Sequence, residues 1–121
     1  MSLTERPTIL VIGNDAALGY LLGRFAERSG YKLAVNLDNS SIEQVTAVNP
    51  AVIVFPSTEI LETFQALVGE LASLDFPIMV CSSIADEAKA RELGADYCLL
   101  HPLGYEDFQT ALTNASASKH I

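Results

Sequence analysis

The sequence predicts a single α/β domain in which five parallel strands alternate with five helices in a doubly wound arrangement. Short, β-branched apolar runs alternate with amphipathic stretches along the whole of the 121 residues. Most of these runs are continuously apolar, which is typical of strands covered by helices on both faces. Hydrophobic residues make up 50% of the chain and charged residues 18%, a balance that favours a packed core over disorder.

The first half of the chain contains three of the predicted strands, at residues 8–13, 32–37 and 51–55. A first helix is predicted over 15–29, where apolar residues share one face and Gly30 ends it. Ser40 and Glu43 form a capping box that predicts a short second helix. The pair Asn49-Pro50 predicts its end, since the residue before a proline disfavours helical backbone.

The second half continues the same alternation to its end. The apolar stripe from Ile60 to Leu71 predicts one continuous third helix. Strands follow at 77–82 and 96–100, and between them Ser83 and Asp86 suit a helix start while Gly94 suits its end. A last helix is predicted over 104–114. The domain therefore covers 7–115, with a disordered N-terminus or expression scar at 1–6 and a tail or linker start at 116–121.

Charge and cysteine content exclude several classes of function. The formal net charge is −8, with 7 basic against 15 acidic residues, so nucleic acids and anionic membranes are not expected partners. Cys81 and Cys98 lie in apolar runs without CxxC spacing, which predicts buried free thiols rather than a zinc or redox site. With no signal peptide and no apolar run of membrane-spanning length, we expect a cytoplasmic domain.

The side chains that could take part in binding or catalysis lie in the turns after the predicted strands. Asn14 or Asp15 could cap the first helix or ligate a metal, and we favour the cap. The spacing of Gly13 and Gly19 fits neither a dinucleotide-binding fingerprint nor a P-loop. His101 follows the last strand, where a structural role is favoured over a pH sensor or general base.

Two further candidates have a simpler structural interpretation as well. Ser57 and Thr58 could bind an anion at a helix start, although an N-cap is the favoured interpretation. Cys81 would need an electropositive, partly open setting to act as a nucleophile, and its apolar strand offers none.

Four segments, taken in order, resemble the receiver domain of response regulators. "ILVIGNDAAL" matches an apolar strand followed by an acidic cluster, and "NPAVIVFP" matches a strand that ends in the phosphate-accepting aspartate. "PIMVCSS" matches a strand ending in Thr/Ser-Ala, and "GADYCLLHP" matches "GADDYLLKP", the most specific of the four. The resemblance covers residues 7–115 and implies a CheY-like, flavodoxin-like three-layer fold, with a cis peptide before Pro102.

The resemblance also implies that the chemistry of the family is missing. Phosphoryl transfer to an aspartate needs a carboxylate nucleophile, acids that hold a divalent cation, a lysine and a hydroxyl. The nucleophile falls on Pro56, the two acids on Gly13 and Asn14, the lysine on His101 and the hydroxyl on Ser82. Only Ser82 keeps its chemistry. The predicted degenerate pocket comprises Gly13, Asn14, Asp15, Pro56, Ser82 and His101, with no metal, no cofactor and no catalytic residue.

The switch of the family is altered too. Its mobile aromatic position falls on Cys98, and the segment from Ser82 to His101 is a few residues shorter than usual. The family generally uses the face formed by its fourth helix, its fifth strand and its fifth helix to form dimers and to bind partners. That face here would comprise Ala88, Arg91, Glu92, Tyr97, Cys98 and Tyr105, with Phe108 where it is exposed.

We therefore expect a non-enzymatic, receiver-like interaction domain of bacterial two-component signalling that binds protein partners, with self-association through that face as one option. The alternative is a non-covalent anion or small-molecule sensor at the strand ends, formed by Asn14, Ser57, Thr58, Ser82 and His101. An enzyme that uses His101 or Cys81 is a weaker rival, because no triad or cofactor loop can be assembled around them.

Overall fold

The computed structural model describes residues 6–13, 15–36, 41–100 and 103–118 and contains a five-stranded parallel sheet with strand order β2-β1-β3-β4-β5. The strands are β1 (Thr8–Ile12), β2 (Lys32–Asn36), β3 (Val52–Phe55), β4 (Ile78–Ser82) and β5 (Tyr97–Leu100). The helices are α1 (Ala16–Ser29), α2 (Ile42–Val48), α3 (Thr58–Thr63), α4 (Gln65–Ser73), α5 (Glu87–Glu92) and α6 (Tyr105–Ser118), with a 3₁₀ turn at Ile84–Asp86. The predicted doubly wound α/β fold is confirmed.

The core lies on both faces of the sheet. Every residue of the central strands β1, β3 and β4 is buried, as their continuous apolar runs predict. On one face α1 and α6 cover the sheet, and Leu22 and Phe108 are fully buried there. On the other face α2, α3, α4 and α5 cover it, around Phe55 and Leu71. Within the described part, no helix is long and apolar enough to cross a membrane.

Local capping chemistry fixes most helix boundaries where the sequence predicts them. Gly30 ends α1 with φ 81°, a left-handed conformation that glycine adopts at little cost. Asn49 ends α2 with φ 52°, directly before the proline. Ser57 caps α3, since its hydroxyl accepts a hydrogen bond from the Ile60 N–H. The cap of α2 is a correction: the capping box is formed by Ser41 and Gln44, one residue later than predicted.

The predicted single third helix is wrong, because the chain forms α3 and α4 with a break at Phe64. At this break the side chain of Gln65 competes with the backbone for a carbonyl acceptor. The Gln65 Nε2 donates to the Leu61 carbonyl at 3.0 Å and to the Leu93 carbonyl at 2.9 Å. The Leu61 carbonyl is the acceptor that the backbone N–H of residue 65 would use in an uninterrupted helix. The two helices still cover the sheet with the predicted apolar stripe.

The last helix extends to Ser118, four residues beyond the predicted end at Asn114. Ala115 is 1% exposed and packs in the core on the α1 side of the sheet, so the helix has a buried anchor past that point. Alanine has the highest helix propensity, which lets the alanine- and serine-rich segment continue the helix. Residues 116–118, predicted as tail, are therefore helical.

Candidate functional site at the strand ends

The predicted pocket lies where β1, β3 and β4 end at the same edge of the sheet. Gly13 directly follows β1, Pro56 directly follows β3, and Ser82 is the last residue of β4. Because β3 pairs with both β1 and β4, the structure brings these three positions onto adjacent strands. Asn14 and His101 lie outside the described residues, as does the predicted cis peptide at Pro102.

An isoleucine from α3 packs against the first of these positions, and Pro56 lies beside it. Gly13 and Pro56 are both buried. A Cβ atom added to Gly13 would lie 2.9 Å from both Cδ1 and Cγ2 of Ile60 and 3.4 Å from Cδ of Pro56. Gly13 has φ 122°, a backbone conformation that residues with side chains rarely adopt. Gly13 and Pro56, the positions to which the resemblance assigns a cation-binding acid and the phosphate acceptor, therefore lie in apolar surroundings.

Ile60 is the residue of this site that sequence reasoning missed. Its place in the helical stripe predicted only a core contact, and its position one turn after Pro56 was the available signal. An α-helix that starts three residues past a strand end projects its first turn over that end. The side chain there decides whether the strand ends are open to water, and here it is a hydrocarbon.

Asp15 caps α1, as the favoured interpretation predicts. Its Oδ1 accepts a hydrogen bond from the Leu18 N–H at 3.1 Å, and the residue itself has extended backbone angles. The carboxylate thereby satisfies one of the free N–H groups of the first turn and complements the positive end of the helix dipole. Among the described residues, no group of three or more His, Cys, Asp or Glu side chains could hold a metal ion.

We expect Asp15→Ala to lower the free energy of unfolding by about 1 kcal/mol, because the N-cap hydrogen bond is lost. Asp15→Ser should restore most of that loss, since serine is an equally good cap. Urea unfolding with and without Mg²⁺ measures both. A metal-ligand role for Asp15 would instead make the wild-type stability rise with Mg²⁺ and make Asp15→Ser as damaging as alanine.

Two buried hydroxyls lie at this edge of the sheet. Thr58 is 8% exposed and Ser82 is 4% exposed, and neither hydroxyl makes a hydrogen bond of standard geometry within the described part of the chain. The Ser82 hydroxyl instead has a weak interaction with the Cys98 thiol. Buried hydroxyls usually have partners, so these two are the polar groups of the site that remain available.

The two thiols differ in their surroundings. Burial raises the pKa of Cys81 to about 12, and the nearby Asp15 carboxylate adds to the rise. Burial also raises the pKa of Cys98, while Arg91 and the Ser82 hydroxyl oppose that rise. Cys81 is 1% exposed, and Cys98 is half-buried, which corrects the prediction that both would be buried. Cys81 thus has neither the thiolate nor the access that a nucleophile needs.

We expect iodoacetamide at pH 8 to alkylate Cys98 in the folded protein and to leave Cys81 unmodified. The thiolate fraction and the access of Cys81 are both low, so its rate should be at least about a hundredfold slower. Intact mass followed by peptide mapping separates the two sites, and Cys98→Ser is the control. Fast modification of Cys81 in folded protein would show that this thiol is open and ionised.

Only some of the residues predicted for the interaction face lie together on one surface. Ala88, Arg91 and Glu92 are exposed on α5, and Tyr97 and Cys98 are half-buried on β5 beside them. Ile84, in the 3₁₀ turn before α5, is 76% exposed and adds an apolar side chain that sequence reasoning missed.

Two of the aromatic residues predicted for this face lie elsewhere. Tyr105 contacts α1 instead of α5: the Arg28 guanidinium stacks 3.9 Å from its ring centroid, and Ser29 Oγ donates to its hydroxyl at 3.3 Å. Phe108 is fully buried, so it offers no surface. The exposed part of the face is therefore formed by α5, the turn before it and β5.

Comparisons with known proteins show the fold and not a close relative. No protein-family model matches the sequence, and no curated protein is significantly similar to it. A response regulator receiver domain protein from Clostridium thermocellum has a TM-score of 0.71 and 16% identity, over 94% of this chain and 97% of that one. A sensor protein from Polaromonas sp. JS666 has a TM-score of 0.72 and 20% identity, over 94% and 98%. The N-terminal domain of the nisin resistance regulator NsrR, a lantibiotic response regulator, has a TM-score of 0.71 and 22% identity, over 93% and 99%.

These likenesses cover nearly the whole of this chain and of each neighbour. The chain therefore has the CheY-like receiver fold, the flavodoxin-like α/β sandwich that the sequence predicts.

Proposed function

We propose that this chain is a receiver-like interaction domain of two-component-type signalling that does not accept a phosphoryl group. The observation that carries the proposal is the packing of Ile60 against Gly13, with Pro56 beside it. The fold is kept, and the positions that would hold a cation and a nucleophile are buried apolar groups. The two free thiols favour a reducing compartment such as a bacterial cytoplasm.

The chemistry supports this proposal directly. Transfer to a carboxylate requires a nucleophilic oxygen and a cation that neutralises the developing charge. Proline supplies no oxygen nucleophile, and glycine supplies no side-chain carboxylate for a metal ion. Mg²⁺ requires several oxygen ligands and gives up its water shell reluctantly, so a site covered by an isoleucine does not suit it. The domain then acts through protein contacts and not as an enzyme.

The surface of α5 and β5 supports such contacts. Ile84 and Ala88 are exposed there, together with charged side chains of both signs. Apolar groups within a polar rim are typical of protein interfaces, whether the partner is another protein or a second copy of the chain. This face is separate from the covered strand ends, so it can bind a partner without any phosphoryl chemistry.

The buried hydroxyls of Thr58 and Ser82, which make no hydrogen bond of standard geometry in the described part of the chain, favour a second candidate, a non-covalent anion sensor at the strand ends. Both are buried donors at the edge where receivers bind phosphate, and an oxyanion could accept from them. The Ile60 side chain weighs against this candidate, because an anion would have to displace it.

The test is incubation with acetyl phosphate and Mg²⁺, followed by intact mass at near-neutral pH. We expect no gain of a phosphoryl group, because no nucleophile is positioned to accept one. A phosphorylatable receiver treated in parallel is the positive control. An adduct would overturn the proposal, and its loss in Asp15→Asn would identify Asp15, the carboxylate nearest in sequence to the site, as the acceptor.

A further inference from the structure

A second feature lies away from the strand ends, in a groove between α1 and the edge strand β2. The groove has a volume of about 420 Å³ and is bordered on the helix side by Tyr20 and Arg24 and on the strand side by Lys32 and Leu33. It is partly open to solvent, so a ligand can enter it from the surface.

Basic residues are concentrated at this groove, although the chain contains few of them. Arg6, Arg24 and Lys32 line it, three of the seven basic residues of an acidic chain. The two ion pairs found among the described residues involve Lys89 with Glu62 and Arg91 with Glu87, on the opposite side of the fold. The groove cations therefore carry no ion pair with a described carboxylate, although acidic residues outnumber basic ones two to one.

Glycines in α1 keep the groove open. Gly19 and Gly23 line it on the helix, four residues apart. A Cβ atom added to Gly19 would have nothing within 4 Å, and one added to Gly23 would lie 3.7 Å from Leu33 Cδ2. Both have ordinary helical backbone, where glycine costs about 1 kcal/mol relative to alanine. Neither the backbone nor the packing at Gly19 requires a glycine, and its effect is to leave space.

The strand side of the groove offers unpaired backbone groups. β2 is at the edge of the sheet, and among the described strands it pairs only with β1. The Lys32 N–H donates to the Pro7 carbonyl on the β1 side at 2.9 Å. Alternate residues of a strand direct their N–H groups to opposite sides, so those of Leu33 and Val35 point outward. Val35 is 47% exposed, which leaves this edge accessible.

We infer that this groove binds an extended acidic peptide segment of a partner protein. The segment adds to the outer edge of β2 through main-chain hydrogen bonds, and its carboxylates lie beside Arg6, Arg24 and Lys32. The acidic Glu27 also lines the groove, which suits a polypeptide with N–H donors and disfavours a polyphosphate or nucleic acid. The inference does not depend on the strand-end site, so it stands whether or not the domain accepts phosphate.

Fluorescence anisotropy with a labelled peptide of alternating Glu and Val tests the inference. We expect saturable binding that weakens with salt, and no binding of the alternating Gln/Val or Lys/Val peptide. Arg24→Gln/Lys32→Gln should weaken binding about tenfold through the loss of two charge contacts. Arg28→Gln is the matched control for the single variant Arg24→Gln, because it removes one arginine charge from the same helix outside the groove and should leave affinity unchanged.

Filling the groove tests its geometry. Gly19→Leu should also weaken binding at least tenfold without loss of stability, whereas Gly69→Leu, at another open glycine in α4, should not. Amide exchange of Leu33 and Val35 should slow when the peptide binds. Equal binding of the Gln/Val peptide, or full affinity in Gly19→Leu, would overturn the inference. Stronger binding of inorganic polyphosphate at the same residues would also overturn the inference, because the ligand would then be a polyanion and not a peptide.

Discussion

Gly13→Asp, which restores a carboxylate at one of the acid positions of the receiver family, should lower the free energy of unfolding by about 3 kcal/mol. The new side chain would have to adopt φ 122°, and its Cβ would lie 2.9 Å from two atoms of Ile60. It would also bring a charge into a buried position without a counter-ion. Urea unfolding at neutral pH measures the loss.

Two alanine variants separate the contributions. Gly13→Ala keeps the backbone strain and the contact with Ile60 but adds no charge. Gly30 has a positive φ of 81°, and a Cβ atom added there would have no atom within 4 Å. Gly30→Ala therefore isolates the backbone cost of about 1 kcal/mol. The stability losses should rise from Gly30→Ala to Gly13→Ala to Gly13→Asp. Wild-type stability of Gly13→Asp, or its recovery with Mg²⁺, would mean that the site still accepts an acid and a cation.

Gly94→Ala should lower the free energy of unfolding by a similar amount, about 2 to 4 kcal/mol. Gly94 follows α5 with φ 114°, and an added Cβ would lie 2.6 Å from Cγ1 of the buried Val68. This contact joins the end of α5 to α4, so the backbone of the interaction face would have to move. Thermal and urea unfolding measure the effect.

The matched control is Gly69→Ala, one residue from Val68 on the exposed side of α4, which has nothing within 4 Å. It should be neutral or stabilising by up to about 1 kcal/mol through helix propensity. The double variant Gly94→Ala/Val68→Ala should recover the steric part of the loss and keep the backbone part. Equal stabilities of Gly94→Ala and Gly69→Ala would contradict the close approach at Val68.

Features that depend on neighbours in sequence were predictable for this chain. The strands follow from continuous apolar runs, and the caps at Asp15 and Ser57 follow from short polar side chains that satisfy free N–H groups. The error at α2 has a local cause, because Ser40 and Glu43, and Ser41 and Gln44, both fit the capping-box spacing. The sequence pattern cannot choose between two such pairs.

Features that depend on contacts between distant segments were not predictable. The break between α3 and α4 involves a hydrogen bond from Gln65 to Leu93, 28 residues away. The cover over the strand ends joins Ile60 to Gly13 across separate elements. Tyr105 contacts α1, whereas the family resemblance placed it on the interaction face. The sequence shows that Gly13 and Pro56 have no carboxylate, but it does not show the isoleucine that packs against Gly13.

The central claim is that the strand ends are packed and do not bind Mg²⁺ or phosphate. Amide NMR spectra recorded during titration with Mg²⁺, then with beryllofluoride and inorganic phosphate, test it at the residues concerned. We predict no saturable shift at the amides of Gly13, Ser57, Thr58 and Ser82, because Ile60 packs against Gly13 and the Asp15 carboxylate is engaged in capping α1. Saturable shifts at these amides would contradict the claim: a Mg²⁺-dependent response would indicate a working receiver site, and a response to phosphate alone would indicate the anion sensor.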